Sequence, residues 1–275
     1  MSLEHTTVHR REVTPGVLVY EGEHGMPNAV ALVGEKQLVV IDSLFTPRHA
    51  TAMMSDLRMV TGLPVSALVN THFHGDHTLG NGVIPTSRII AARQVRQRLA
   101  THGEEYRHLL CGIRPDLEPE IADVDWVLPT EEIDGPFDLE LGGLTAQLRP
   151  VGSAAHTEAD LYVLVPERRV LIASDLIFNG VLPVARDCDL PGLRTALRRL
   201  QSLDLDIVVP GHGPAGGHEL IGRQLAVLGD IEAAVRRAQA VGADPTAAAV
   251  ESVTGLLHAD ERIAPYVAFF GKEVA

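Results

Sequence analysis

No apolar run in this chain approaches the roughly 18 residues that a membrane-spanning helix requires. Positive charge is scarce: 23 Lys and Arg face 36 Asp and Glu, a formal charge of −13. Such a balance argues against a protein that grips nucleic acid by its phosphate backbone, although it does not exclude a local basic patch. Cys111 and Cys188 are the only cysteines and stand far apart without C-x-x-C spacing, so a reducing, cytoplasmic setting is expected. Residues 1–5 carry neither a basic nor an apolar stretch, and no secretory signal is expected from them. Aromatic residues amount to 4%, with a single Trp, yet the 45% hydrophobic fraction over 275 residues suffices for a sizeable core in one large domain or two small ones.

Histidine is concentrated instead. Thr71-His72-Phe73-His74-Gly75-Asp76-His77 puts three imidazoles and one carboxylate into six residues. The apolar run 65–70 leads straight into it and reads as a buried strand. If the backbone stays extended past Asn70, His72 and His74 project to the same side, because strand side chains repeat every two residues. Gly75 then permits a sharp turn that brings Asp76 and His77 round to the same point. Imidazole nitrogen and carboxylate oxygen are the usual partners of zinc, and a catalytic site leaves one coordination position open.

The remainder alternates strands and helices. Short strands are expected at 16–21, 28–34 and 38–42 within a β-rich start, followed by a helix from 47 to 59 with Thr46 as its N-cap and Pro47 in its first turn. A strand at 88–92 precedes a basic helix at 93–102, whose charges read as a solvated face. Residues 103–130 mix charge, proline and isolated apolar residues; a stretch of this length reads equally as a surface excursion or as a lid or wall of a pocket. A hairpin is expected within 137–150, paired strands at 160–165 and 169–174, a helix at 190–203, and a strand at 206–210. Helical pattern dominates 218–275, broken near 242–245 and at 255.

Three of these expected strands deliver further donors just past their ends: His156 on a small-residue loop, Asp175, and His212 within Pro210-Gly211-His212-Gly213. Taken singly each would be an ordinary cap or hydrogen-bond partner. Together with the first cluster they fit a seven-ligand, two-metal site. The remaining histidines, His218 included, read as surface or capping residues.

The order His72-x-His74-x-Asp76-His77, then His156, Asp175 and His212, resembles the metallo-β-lactamase-fold hydrolase superfamily along nearly the whole chain. Closer similarity is to a bacterial subgroup, mostly of undefined substrate, through residues 70–81 and 175–180. The resemblance implies an α/β fold, a four-layer αβ/βα sandwich of two mixed β-sheets flanked by helices, formed by 1–275 as a single domain. It also implies that His72, His74 and His156 hold one zinc, that Asp76, His77 and His212 hold the other, that Asp175 bridges them, and that Asp42 supports the site from behind the ligands. Ser174 departs from the glycine usual before the bridging aspartate, and Asp175 itself departs from the cysteine of the best-known zinc β-lactamases.

The activity implied is hydrolysis of an ester, thioester, lactone or amide carbonyl by a hydroxide generated at the two metals, with Asp76 orienting the nucleophile and shuttling its proton. Two divalent cations against two carboxylates and a hydroxide leave about one positive charge to stabilise an oxyanion. Iron or manganese would suit the same donors. A metal-dependent polyketide cyclase or lyase of the same fold and a β-lactamase-like activity are the alternatives, with a non-enzymatic metal-binding or redox module further off. Tyr106, His108 and Asn179 are candidates for the pocket of a small-molecule substrate; neither a nucleic acid nor a membrane is expected as a partner.

Overall fold

The structure, a computed structural model, describes residues 8–22, 25–181, 183 and 186–254. The expectations for residues 1–5 and for helix and break beyond 254 lie outside the described residues. β1 (Val8–Thr14), β2 (Val17–Gly22), β3 (Ala29–Val33) and β4 (Leu38–Ile41) form an antiparallel meander. Helix α1 (Pro47–Thr61) then carries the chain back so that β5 (Val65–Val69) lies parallel to β4. After the single turn α2 (Gly75–Thr78), β6 (Ile89–Ala92) adds in parallel, and α3 (Arg93–Ile113) and α4 (Glu118–Ile121) lead to β7 (Glu131–Ile133), which completes the first sheet. In the second sheet, β8 (Phe137–Glu140), β9 (Thr145–Pro150), β10 (Leu161–Val165) and β11 (Val170–Phe178) run antiparallel. Helix α5 (Leu190–Gln201) returns the chain to β12 (Ile207–His212), parallel to β11, and α6 (Glu219–Ala240) and α7 (Pro245–Thr254) follow.

Side-chain alternation along each strand decides the layers. Val39 and Ile41 of β4, with Ala67 and Val69 of β5, face Leu148, Val163, Ile172 and Val209 of the second sheet, so the two sheets share one apolar interior. The intervening Leu38, Val40 and Leu68 face the other way and are covered by Ala50, Met53 and Leu57 of α1. On the far side, Leu171 and Ala173 are covered by Leu193, Leu197 and Leu200 of α5 and by Leu228 and Ile231 of α6. This is the αβ/βα sandwich. Pro47 opens α1 behind Thr46, whose hydroxyl accepts from the His49 backbone N–H, and Gly62 closes the helix in the left-handed conformation. Among the described residues no helix is long and apolar enough to cross a membrane.

Several elements differ from their sequence expectation. The basic helix does not stop at 102: α3 continues to Ile113 through the first part of the 103–130 stretch, and α4 occupies another part. Gly103 lies inside the helix, directly after the expected end. It is a packing slot, since a Cβ there would stand 2.7 Å from Cδ1 and Nε1 of Trp126. β1 escaped notice because it is mostly exposed, and β7 because it is three residues long. Asp175 does not follow the end of its strand but lies inside β11, just after a register irregularity at Ser174, and His212 is the last residue of β12.

Replacing a helical glycine by alanine ordinarily stabilises by about 1 kcal/mol. Gly103→Ala is expected to destabilise instead, by about 1–3 kcal/mol of overpacking against Trp126, and to alter the emission of that single tryptophan. Thermal melting and fluorescence of the variant check this; a raised melting temperature would show that the indole is not seated there.

Candidate metal centre

The parallel strand pairs β4·β5 and β11·β12 end side by side, and every candidate donor lies at or near these ends except His156, which the 151–160 loop supplies. The backbone is extended up to His74 (φ −65°, ψ 143°) and then winds into α2. His77 N–H donates to the His74 carbonyl at 3.1 Å, which brings Asp76 and His77 back over the strand end. Gly75 sits tightly: a Cβ would meet Leu110 Cδ1 at 2.5 Å and Trp126 Cη2 at 3.0 Å, so the leucine would have to turn aside.

His72, His74, His156 and Asp175 point one donor atom each into a common space, all four buried; Asp76, His77 and His212 do the same beside them. Asp175 lies between the two groups. Its Oδ2 is 3.3 Å from His156 Nε2, 3.8 Å from His72 Nε2 and 3.4 Å from His212 Nε2, while its Oδ1 is 3.1 Å from His77 Nε2. Asp76 Oδ2 stands 3.5 Å from His212 Nε2 and 3.8 Å from His77 Nε2. Its side chain is 20% exposed against 3% for Asp175, so Asp76 is the carboxylate on the open side.

The outward nitrogens of the rings fix which inward ones are bare. His77 Nδ1–H donates to Asp42 Oδ2 at 3.0 Å, and His212 Nδ1–H to the Gly25 carbonyl at 2.8 Å. His72 Nδ1–H donates to Thr71 Oγ1 at 3.0 Å, whose own proton goes to Asp42 Oδ2 at 2.8 Å. His74 is turned the other way: its Nε2–H donates to Asp187 Oδ2 at 3.0 Å, leaving Nδ1 inward. The inward nitrogens consequently face each other: His156 Nε2, whose proton no outward partner draws to Nδ1, can donate to His74 Nδ1 at 3.0 Å, whereas His77 Nε2 and His212 Nε2 face each other bare at 3.3 Å. Lone pairs at that separation repel unless something positive sits among them. The fully buried His72 Nε2, His156 Nδ1 and Asp175 Oδ1 have no hydrogen-bond partner. Orphaned donors of this kind, with imidazole and carboxylate as the ligand set, fit divalent metal ions.

Charge in the cluster follows the same division. Burial pulls the His156 imidazole down to about 3 and holds His72 well below its ordinary value, with the neighbouring His77 adding to the effect on His72. Burial opposes charge on His77 and His212 most strongly of all, but the Asp175 and Asp76 carboxylates, with Asp42 added at His77, together outweigh it and both are raised. Asp175 is held well below the carboxylate range, since His77, His212 and His156 together overcome its burial.

The strand ends are strained around this point. Asp42, Leu44 and Ser174 have positive φ of 59°, 67° and 47°, a cost that surrounding structure must hold in place. Ser174 Oγ lies 2.8 Å from Thr71 Oγ1 and 3.2 Å from Asp42 Oδ2, so the hydroxyl fastens a backbone conformation better suited to glycine. Around His212 two glycines are indispensable: a Cβ on Gly211 would stand 1.8 Å from Asp175 Oδ1, and Gly213 (φ 82°) lies against the Asn179 carbonyl. Asn28 clamps the same loop, donating from Nδ2 to the Pro210 and Gly213 carbonyls at 3.0 and 2.7 Å.

The remaining candidates from the sequence are not among the converging donors. Tyr106 is buried on α3 and donates its O–H to Asp187 Oδ2 at 3.2 Å, behind His74. His108 is exposed and hydrogen-bonds back to the Glu104 carbonyl; Asn179 is half-buried and donates to the Pro214 carbonyl. Sequence reasoning missed Asp187 and Asp160. Asp160, raised to about 7 by burial, accepts from the Thr157 N–H and hydroxyl at 2.8 and 2.7 Å and closes the loop that presents His156. No pattern in the sequence separates Asp187 from Asp189 nearby, which caps α5.

A family model described as the metallo-beta-lactamase superfamily matches residues 22–212, from the end of β2 to the last donor. The chain belongs to this superfamily. Its members are metal-dependent hydrolases. Among curated proteins the chain is 24% identical over 229 residues to the linear primary-alkylsulfatase of Pseudomonas sp. (strain ATCC 19151), covering 70% of this chain and 43% of that one. It is 25% identical over 173 residues to a beta-lactamase-like protein 2 homolog of Caenorhabditis elegans, covering 60% and 49%. The chain thus spans less than half the length of the curated relatives it matches. A metallo-beta-lactamase from Pontibacter korlensis superposes with a TM-score of 0.65 at 19% identity, over 82% of this chain and 100% of that one. The VMB-1 structure gives 0.63 at 18% identity, over 80% and 96%. These likenesses bear out the fold implied by the motif.

Gly211→Ala is expected to displace the Asp175 carboxylate or the His212 loop and so to lower metal content sharply. Elemental analysis checks this; a variant that retains its full complement of metal would mean that the loop accommodates a Cβ.

Proposed function

We propose that the chain is a dinuclear zinc-dependent hydrolase of small-molecule esters, thioesters, lactones or amides, acting in the cytoplasm. The observation that carries this reading is the pair of buried donor clusters on either side of Asp175, each with imidazole and carboxylate atoms turned to a common point, a donor set for two cations. When bound, two divalent ions supply Lewis acidity and a water of lowered pKa; iron or manganese could serve in place of zinc.

His72, His74 and His156 would hold one ion, Asp76, His77 and His212 the other, and Asp175 both. Asp42 and Thr71 keep the His77 and His72 rings in the tautomer that leaves Nε2 free. Asp76, on the open side, is placed to orient the attacking water and to take its proton. A substrate carbonyl would approach from that side, where Asp76 is the more exposed carboxylate.

Protein purified without chelator and supplemented with zinc is expected to carry about two metals per chain, since seven donors exceed the four of one tetrahedral zinc. One metal or none on elemental analysis sinks the dinuclear reading. Loaded protein should turn over at least one member of a panel of thioesters, lactones, nitrocefin and, because of the alkylsulfatase relative, primary alkyl sulfates. Failure on the whole panel counts against a hydrolase.

His212→Ala should empty the second position and spare the first. Asp76→Ala should be the more damaging, because a ligand and a proton acceptor go together, and added zinc should not restore it. Zinc content and turnover measured over a range of added zinc separate the two; full rescue of Asp76→Ala alone would make the role given to Asp76 wrong.

A further inference from the structure

We propose that Asp187, braced by Tyr106, is a positioning residue that turns His74 so that its Nδ1 faces the first metal position. The inference rests on the two-metal reading and goes beyond it, since Asp187 is not one of the seven donors. His74 is the exception among the histidines of that position: His72 and His156 present Nε2, whereas His74 presents Nδ1, 3.0 Å from His156 Nε2. A ring presenting Nδ1 must carry its proton on Nε2, and the Asp187 carboxylate accepts that proton's hydrogen bond at 3.0 Å.

The carboxylate is itself fastened. Tyr106, reaching across from α3, donates its O–H to the same Oδ2 at 3.2 Å. The tyrosine ring is gripped between Phe73, at 5.4 Å between centroids, and the Arg186 guanidinium, 4.8 Å above the ring, which in turn reaches Glu105 at 3.3 Å. Asp187 also supplies what the first position otherwise lacks. The second position has Asp42 directly behind His77 and Asp76 as a ligand of its own; the first has three imidazoles, a share in Asp175, and Asp42 only at one remove, through the Thr71 hydroxyl behind His72. A carboxylate on the far nitrogen of one imidazole restrains the ring and makes it a stronger donor. Asp187 and Tyr106 therefore tie the β11–α5 connection and α3 to the first metal position, although neither residue is one of its donors.

The test is a stepwise zinc titration of wild type, Asp187→Asn, Asp187→Ala and Tyr106→Phe against a chromophoric chelator, with melting of the metal-free proteins as the control for folding. Wild type should bind two ions. Both Asp187 variants should bind one of the two about 10–100-fold more weakly and the other as before, Tyr106→Phe should lose less, and the metal-free melting temperatures should stay together. The visible spectrum of the cobalt-loaded Asp187→Asn protein should also differ from wild type, which a purely structural role would not produce. Unchanged affinity at both positions overturns the assignment of Asp187 alone, as does an equal loss at both accompanied by a lower melting temperature. Failure of wild type to bind metal overturns the two-metal reading and this inference with it.

Discussion

Aiming bare imidazole nitrogens at one another inside a protein is unfavourable, and the rest of this fold is arranged around that conflict. Hydrogen bonds to the outward nitrogens remove the option of turning the rings away: Asp42, Thr71, Asp187 and the Gly25 carbonyl each hold a proton on the far side. What remains is a concave set of lone pairs with a low-lying carboxylate in its middle. Such a set is stable only with positive charge inside it, from protons or from cations. The raised His77 and His212 and the depressed Asp175 describe the proton-filled form; a pair of divalent ions relieves the same repulsion with less crowding.

Holding this arrangement needs a stiff frame, and the sandwich supplies one. The apolar interior shared by the two sheets fixes β4, β5, β11 and β12 relative to one another, so that their ends become a rigid rim. The rim carries its own strain in the positive φ of Asp42, Leu44 and Ser174, and polar fastening at Thr71 and Ser174 keeps it from relaxing. Glycine appears where bulk would intrude: Gly75 under Leu110 and Trp126, Gly211 against the Asp175 carboxylate.

Much of this could be read from the sequence. The buried strands were legible because apolar alternation and turn residues bound them, and the 71–77 motif because its donors fall at a spacing that a strand followed by a turn brings together. Edge strands were not: β1 has a solvated pattern with no apolar face to give it away. Nor was the length of α3, because Gly103 has the same sequence signature whether it breaks a helix or admits an indole ring. Asp187 and Asp160 were hidden for a related reason. A carboxylate that orients another residue in space needs no particular neighbours in the chain, so nothing local marks it.

The donors divide between the sheets. His72, His74, Asp76 and His77 follow β5 of the first sheet, whereas His156, Asp175 and His212 belong to the second, and Asn28 ties β3 to the loop after β12 across the same seam. Neither sheet alone completes a metal position. Bound ions would consequently act as rivets through the edge where the two layers meet, and the mechanical strength of that edge would follow the free metal concentration around the protein. At one hundred times the dissociation constant a single such rivet adds about 2.7 kcal/mol to the folded state. Scarcity of metal would loosen the seam at the same time as it silenced the chemistry.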